Sequence, residues 1–147
     1  MMSMVHSITL YFIKKKVNFK LLCFYFHRKL FQFNIILAGS SMLNCLKLLE
    51  GRHDFSSFQS AGSSVRSAAR VVFAAEITSV EEHTRLITIE ADGFLRHMVR
   101  NIVGTLVDVG SGRLREEGFC AVLAARNRQQ AGMTAPARGL CLLEVRY

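Results

Sequence analysis

The chain has 147 residues, a hydrophobic fraction of 50% and a formal net charge of +8, which suits one domain with a buried core. No pair of its four cysteines has Cys-x-x-Cys spacing and no cysteine–histidine cluster is present, so the sequence favours reduced thiols over a zinc site. The longest charge-free run near the N-terminus, residues 30–46, is interrupted by polar side chains, which argues against a membrane-spanning helix.

The positive charge is concentrated in the first third of the chain. Residues 1–49 carry seven basic side chains and no acidic one, whereas residues 50–147 carry twelve arginines and eleven acidic residues. A strongly basic protein often binds nucleic acid. Here the excess lies outside the part with clear helix and strand patterns, so net charge alone identifies no RNA-binding surface.

The N-terminal stretch differs from the rest in composition. Residue types encoded by AT-rich codons (Phe, Tyr, Met, Ile, Asn, Lys) number 22 in residues 1–37 and 4 in residues 111–147, while Gly, Ala, Arg and Pro together number 1 and 17. We therefore expect residues 1–40 to stand outside the fold, as translated intron or intergenic sequence, and residues 41–147 to form the domain. An organelle transit peptide or a membrane-surface helix is the alternative, although transit peptides are rich in Arg and Ser.

The remaining chain alternates between helix and strand patterns. In order, we expect a helix over residues 41–51, a compact turn over 53–58, a loop over 60–69, a β-hairpin from 70–78 and 84–90, a long helix over 93–109, a second helix over 115–126, a loop over 127–138 and a final strand over 140–147. This order predicts an α+β domain, with an antiparallel sheet and helices on one face.

The long helix has the strongest pattern. Steps of 100° place its apolar residues on one side and Arg96, His97, Arg100 and Asn101 on the other, with Gly104 among them. Arg96 and Arg100 are four residues apart, so an anion such as a carboxylate or a phosphate would suit the space beside them. A solvated helix surface explains the same pattern.

Three segments of the chain have distinctive sequence motifs. They are LLEGRHDFSSFQSAG with SVRSAARVV, then FLRHMVRNIVGTLVDVGSGR, and finally LAARNRQQAGMTAPARGLCLLEVRY. Together they resemble, in order, the C-terminal part of the tRNA pseudouridine synthase A family over about residues 41–147. The resemblance implies the C-terminal half of a pseudouridine synthase fold. It also implies an intracellular isomerase that converts a uridine in the anticodon arm of tRNA, needs no cofactor or metal, and forms homodimers.

The resemblance also implies roles for individual residues. Arg100 would pair with the family's catalytic aspartate and keep that carboxylate ionised; a salt bridge to another acid is the alternative. Arg96, His97 and Asn101 would line the cleft and contact RNA, with simple packing on the helix surface as the alternative for each.

The segment before the last strand has a further set of implied roles. Leu140 would lie against the target base, and Thr134, Pro136 and Gly139 would shape the backbone beside the active site. Three residues depart from the family's pattern: Met133 stands where proline is usual, Cys141 where an aromatic is usual and Gln59 where arginine is commoner. The loss of arginine at position 59 would remove a phosphate contact.

The family's nucleophile is absent. It is an aspartate in an N-terminal motif close to G-R-T-D-x-G-V-H, and the aspartates of this chain, Asp54, Asp92 and Asp108, have other contexts. We therefore expect a fragment that cannot catalyse the reaction alone. A non-catalytic RNA-binding or dimerisation module and a non-functional gene remnant are the alternatives.

Overall fold

The computed structural model describes residues 22–27, 39–81 and 84–145. Its strands are β1 (Leu22–His27), β2 (Gly51–Asp54), β3 (Ala69–Glu81), β4 (Thr84–Ala91) and β5 (Leu140–Leu142). Its helices are α1 (Gly39–Lys47), α2 (Met98–Gly110) and α3 (Glu116–Ala125). Short 3-10 turns at Ser56–Phe58, Arg128–Gln130 and Ala137–Gly139 lie in the loops.

The strands form one sheet in the order β2-β3-β4-β1-β5, and each neighbouring pair is antiparallel. β3 and β4 are the expected hairpin, with Ile77 opposite Ile87. In β4, Ile87 and Ile89 are buried, whereas Thr88 between them is only partly buried. This alternation is that of a strand with one face against a core, and it confirms the predicted α+β fold with an antiparallel sheet.

β1 comes from the compositionally distinct N-terminal stretch. It lies between β4 and β5, so that Leu22 pairs with Ile89 on one side and with Leu142 on the other. These six residues were expected to stand outside the fold, and their position in the sheet differs from that expectation. The other residues of the range 1–38 lie outside the described residues, so the origin of the stretch and the domain boundary at residue 40 stay predictions.

The helices cover the buried face of the sheet. Met42 and Leu46 of α1, Leu106 of α2 and Phe119 of α3 are fully buried, together with Phe55 and Phe58 from the turn after β2. Burial of one side chain of this size contributes about 1.5–3 kcal/mol to folding. The two phenylalanines therefore anchor the turn to the core.

The long helix starts later than predicted. α2 begins at Met98, because His97 has a left-handed backbone (φ 59) and the amide of Met98 closes a turn onto the carbonyl of Leu95. Arg96 and His97 therefore lie in the turn before the helix, and the expected helical spacing of Arg96 and Arg100 is wrong. The apolar side is buried as predicted, but so are Asn101, Gly104 and Thr105 on the other side.

Smaller departures lie at the ends of elements. The predicted first helix ends at Lys47, and Gly51, whose φ is +97, opens the unpredicted strand β2. The last strand is shorter than expected, since β5 ends at Leu142. In the part of the chain that the structure describes, no helix is long and apolar enough to span a membrane.

Candidate functional site

Arg100 is held by a single residue of the loop before β5. Its Nε donates a hydrogen bond to the carbonyl of Ala135 at 2.7 Å, and its own carbonyl accepts one from the amide of Ala135 at 3.0 Å. Ala135 is fully buried and Arg100 is half-buried. The guanidinium is thus held at its Nε atom, and no carboxylate of residues 39–79 or 85–145 forms an ion pair with it in the structure.

The loop that carries Ala135 packs directly on α2. A Cβ on Gly104 would lie 1.6 Å from the carbonyl oxygen of Met133, and a Cβ on Gly132 would lie 2.9 Å from Cα of Thr105. Thr105 also accepts a hydrogen bond from the amide of Gly132 at 2.9 Å. Two glycines therefore let the loop and the helix approach backbone to backbone, and this approach buries the second face of α2.

Asn101 lies at the centre of this contact. Its Nδ2 donates to the carbonyl of Phe58 at 2.7 Å and to Oγ of Ser60 at 3.3 Å. Its Oδ1 accepts from Oγ1 of Thr134 at 2.6 Å and from Nη2 of Arg128 at 3.1 Å. The side chain is fully buried, so its geometry favours packing between two loops over the direct RNA contact that the resemblance implied.

Arg96 and His97 form an exposed surface next to Arg100. Nη1 of Arg96 donates to the carbonyl of Ala61 at 3.0 Å, and the carbonyl of Arg96 accepts from the amide of Ser60. Nδ1 of His97 lies 3.1 Å from Oγ of Ser60, within hydrogen-bonding distance. We call Arg96, His97 and Arg100 the basic surface. Hydrogen bonds to the turn of residues 60–62 hold Arg96 and His97 in place.

Electrostatics within the basic surface act on His97. Partial loss of hydration of the imidazole, followed by the positive charges of Arg100 and Arg96, holds the pKa of the exposed His97 below its usual range. The imidazole is therefore largely neutral at neutral pH. Because the folded-state pKa is the lower one, protonation as the pH falls through the usual range disfavours the folded chain. An anion on the basic surface would reverse this effect by favouring the imidazolium.

The aspartates of the chain are all engaged elsewhere. Asp54 accepts hydrogen bonds from the hydroxyl and the amide of Ser56, and these bonds, together with the charge of Arg126, lower its pKa. Asp92 accepts from the amide of Val71, and Asp108 pairs with Arg113. Asp54 therefore stabilises a turn, Asp92 joins the end of β4 to β3, and Asp108 lies in the last turn of α2; none is an ion-pair partner of Arg100.

The other expected site residues lie at the start of β5. Thr134 is half-buried and bonds to Asn101, Gly139 is buried, and Leu140 is half-buried on the edge of the core. Pro136 precedes the turn Ala137–Gly139, whose closing hydrogen bond runs from the amide of Gly139 to the carbonyl of Pro136. Within the described ranges, no group of three or more His, Cys, Asp or Glu side chains could hold a metal ion.

Sequence reasoning missed Arg128 and Ala135. Arg128 is half-buried and donates to Asn101, to Thr134 and to the carbonyl of Ala131. Arginine in a polar loop is usually solvated, so no pattern in one sequence would have found it. Ala135 acts through its backbone, which side-chain patterns do not report.

The fold and this arrangement define an α+β domain in which a half-buried arginine on α2 is hydrogen-bonded to the loop before β5. The family model described as tRNA pseudouridine synthase matches residues 45–147. The chain therefore belongs to the tRNA pseudouridine synthase family.

Curated relatives agree with the family. The chain is 46% identical over 112 residues to the tRNA pseudouridine synthase A of Syntrophotalea carbinolica, and this match covers 76% of the chain and 44% of the relative. It is 51% identical over 109 residues to that of Moorella thermoacetica, which covers 73% of the chain and 43% of the relative. The tRNA pseudouridine synthase A of Chloroflexus aurantiacus is 49% identical over 114 residues, or 76% of the chain and 41% of the relative. The chain thus spans less than half the length of these relatives.

Proposed function

We propose that the chain provides the C-terminal half of a tRNA pseudouridine synthase site, an isomerase site that converts uridine to pseudouridine in the tRNA anticodon arm. The main support for this proposal is Arg100. Its guanidinium is hydrogen-bonded to Ala135 and has no acidic partner among the described side chains. A nucleophilic carboxylate has to be ionised and aimed, and a fixed opposite charge achieves both. We assign that task to Arg100, toward an aspartate that this sequence does not contain.

The chain alone is then inactive. Its own aspartates stabilise local structure through Ser56, Val71 and Arg113, so none replaces the family's nucleophile beside Arg100. Catalysis would require the N-terminal half that the relatives contain. The proposed reaction takes place on tRNA, which supports an intracellular location, and uses no cofactor.

Association with a further polypeptide follows from the same proposal. The large apolar side chains of Phe73 and Leu143 are each 49% exposed, and that of Met133 is 62% exposed. Apolar side chains at such exposure are suited to burial against a partner, which supports a homodimer or assembly with the N-terminal half that the relatives contain.

We assign the basic surface to tRNA phosphates. The exposed Arg96 and His97 and the half-buried Arg100 bring two guanidinium groups and one titratable imidazole together. Guanidinium groups bind phosphate oxygens in a bidentate manner. Asn101 and Thr134 support this surface from inside, and Leu140 is proposed to contact the target base.

The test is tRNA binding by the 147-residue chain. Replacing Arg96 or Arg100 with methionine is expected to weaken binding about three- to tenfold and to lower the salt dependence by about one phosphate contact. Arg115→Met is the matched control, because Arg115 is an exposed arginine at the start of α3 whose side chain makes no capping hydrogen bond. A filter-binding titration at several salt concentrations measures both quantities.

Two outcomes of this titration would contradict the proposal. One is equal binding by the wild type and both basic-surface variants. The other is an equal loss in Arg115→Met, which would mean that only net charge matters. Binding that depends on Arg96 and Arg100 without any turnover, even after the N-terminal half of a relative is added, would favour a non-catalytic RNA-binding module instead.

A further inference from the structure

We propose that Arg128 is a positioning residue, which holds Arg100 in place through the segment 131–135. Arg128 lies in the 3-10 turn after α3. It is half-buried, and its guanidinium makes no ion pair with any carboxylate of the described ranges. A half-buried arginine that donates hydrogen bonds only to neutral acceptors is suited to holding those groups in a fixed geometry.

Two of the three acceptors of Arg128 lie within the segment 131–135. Its Nη1 donates to the carbonyl of Ala131 at 3.2 Å, and its Nη2 donates to Oγ1 of Thr134 at 3.0 Å. The same Nη2 also donates to Oδ1 of Asn101 at 3.1 Å, on the buried helix α2. The planar guanidinium therefore fixes the segment against the helix at its first and fourth residues.

The next residue is Ala135, whose carbonyl accepts the only side-chain hydrogen bond of Arg100 among the described residues. The direction of the Arg100 guanidinium depends on the direction of that carbonyl. The carbonyl direction depends in turn on Thr134, whose hydroxyl is held by Arg128 and Asn101. Arg128 therefore positions Arg100 indirectly, through its hydrogen bond to Thr134 and through the carbonyl of Ala135.

Lysine could not replace Arg128 in this role. Its single ammonium is a point donor on a flexible stem, whereas the guanidinium offers several donors in one rigid plane. The proposal takes the importance of Arg100 from the proposed function. Its contacts, however, lie within the protein and can be tested without RNA.

The first test follows hydrogen exchange of the Arg100 Nε–H by nitrogen-15 NMR, with the signal assigned by its loss in Arg100→Lys. Arg128→Met is expected to speed this exchange about tenfold or more, because the segment opens more often, while the amides of β4 stay protected. Thr134→Val should do the same, and Thr134→Ser should behave as the wild type. Arg126→Met is the matched control, since Arg126 is 69% exposed and pairs with Asp54 instead.

Thr134→Val decides the matter if Arg128→Met does not fold. Unchanged exchange of the Arg100 Nε–H in the folded variants would overturn the proposal. So would equal acceleration at this group and across β4, because that result reports only a general loss of stability.

A second readout separates positioning from direct RNA contact. If Arg128 acts through Arg100, the double variant Arg100→Met with Arg128→Met binds tRNA no more weakly than Arg100→Met alone. An additive loss would mean that Arg128 contacts RNA itself, and would overturn the proposal. A wild-type chain that does not bind tRNA would refute the proposed function, while the exchange experiment would still decide the role of Arg128.

Discussion

Replacing Gly104 with alanine is expected to unfold the domain or to expel the segment 131–135 from α2. The added Cβ would lie 1.6 Å from the carbonyl oxygen of Met133 and 2.8 Å from its carbonyl carbon. Neither α2 nor the segment 131–135 can move away easily, because α2 is buried on both faces and the atoms that would clash belong to the backbone of Met133. We expect a loss of at least about 3 kcal/mol in the free energy of unfolding, the upper end for overpacking.

Urea denaturation followed by circular dichroism measures this loss. Gly39→Ala is the matched control, since a Cβ at Gly39 has nothing within 4 Å and the residue lies in α1. Its midpoint should stay the same or rise slightly, because alanine favours helix over glycine. A Gly104→Ala protein with the wild-type midpoint would show that the loop does not approach the helix backbone there.

Replacing Asn101 with leucine is expected to have the second large effect on stability. The change keeps the approximate size of the side chain but removes the acceptor of Arg128 and Thr134 and the donor to the carbonyl of Phe58. Polar groups left buried without partners each cost about 1–3 kcal/mol, and more where one is charged. We expect a loss of about 3 kcal/mol or more in the free energy of unfolding.

Asn44→Leu is the control for this variant. Asn44 also donates from its amide to another element, the carboxylate of Glu116, but it does so on the exposed side of α1. A surface change of this kind is expected to alter stability by about 0.5 kcal/mol or less. If Asn101→Leu were no more destabilising than Asn44→Leu in the same denaturation experiment, the central role of Asn101 between the two loops would be wrong.

The elements that the sequence predicted well are those whose burial pattern is local. β4 alternates in burial, and α3 buries Phe119 and Val122 at helical spacing, so each pattern could be predicted from neighbouring residues. The start of α2 was not readable in this way. His97 adopts a left-handed backbone that is uncommon for residues other than glycine, and nothing in its sequence neighbours signals it.

The second face of α2 was predicted to be solvent-exposed, because the segment that buries it lies far along the chain. The polar side chain of Asn101 and the glycine at position 104 look like a solvated face when only the helix is considered. The segment 131–135 buries them, and Gly132 makes that approach possible. The proposed role of Arg100 came from the resemblance, whereas its hydrogen bond to Ala135 joins residues that are far apart in sequence, so no local pattern predicts it.

β1 was missed for a different reason. The composition of residues 1–37 suggested that they lie outside the domain. Backbone pairing with β4 and β5, however, depends only weakly on residue type. A strand can enter a sheet wherever an edge is open to main-chain hydrogen bonds. Composition was therefore a poor guide to the pairing of Leu22–His27.

Pseudouridine formation by the purified 147-residue chain tests the central claim most directly. Unmodified tRNA would be incubated with the chain, digested to nucleosides and separated by chromatography, with Arg100→Met in parallel. We predict that the wild-type chain binds the tRNA but forms no pseudouridine above a blank without protein, because the proposed site needs a nucleophilic aspartate beside Arg100, and Asp54, Asp92 and Asp108 are engaged elsewhere. Pseudouridine formed by the wild-type chain alone would contradict the account, and would mean that another group in this chain acts as the nucleophile.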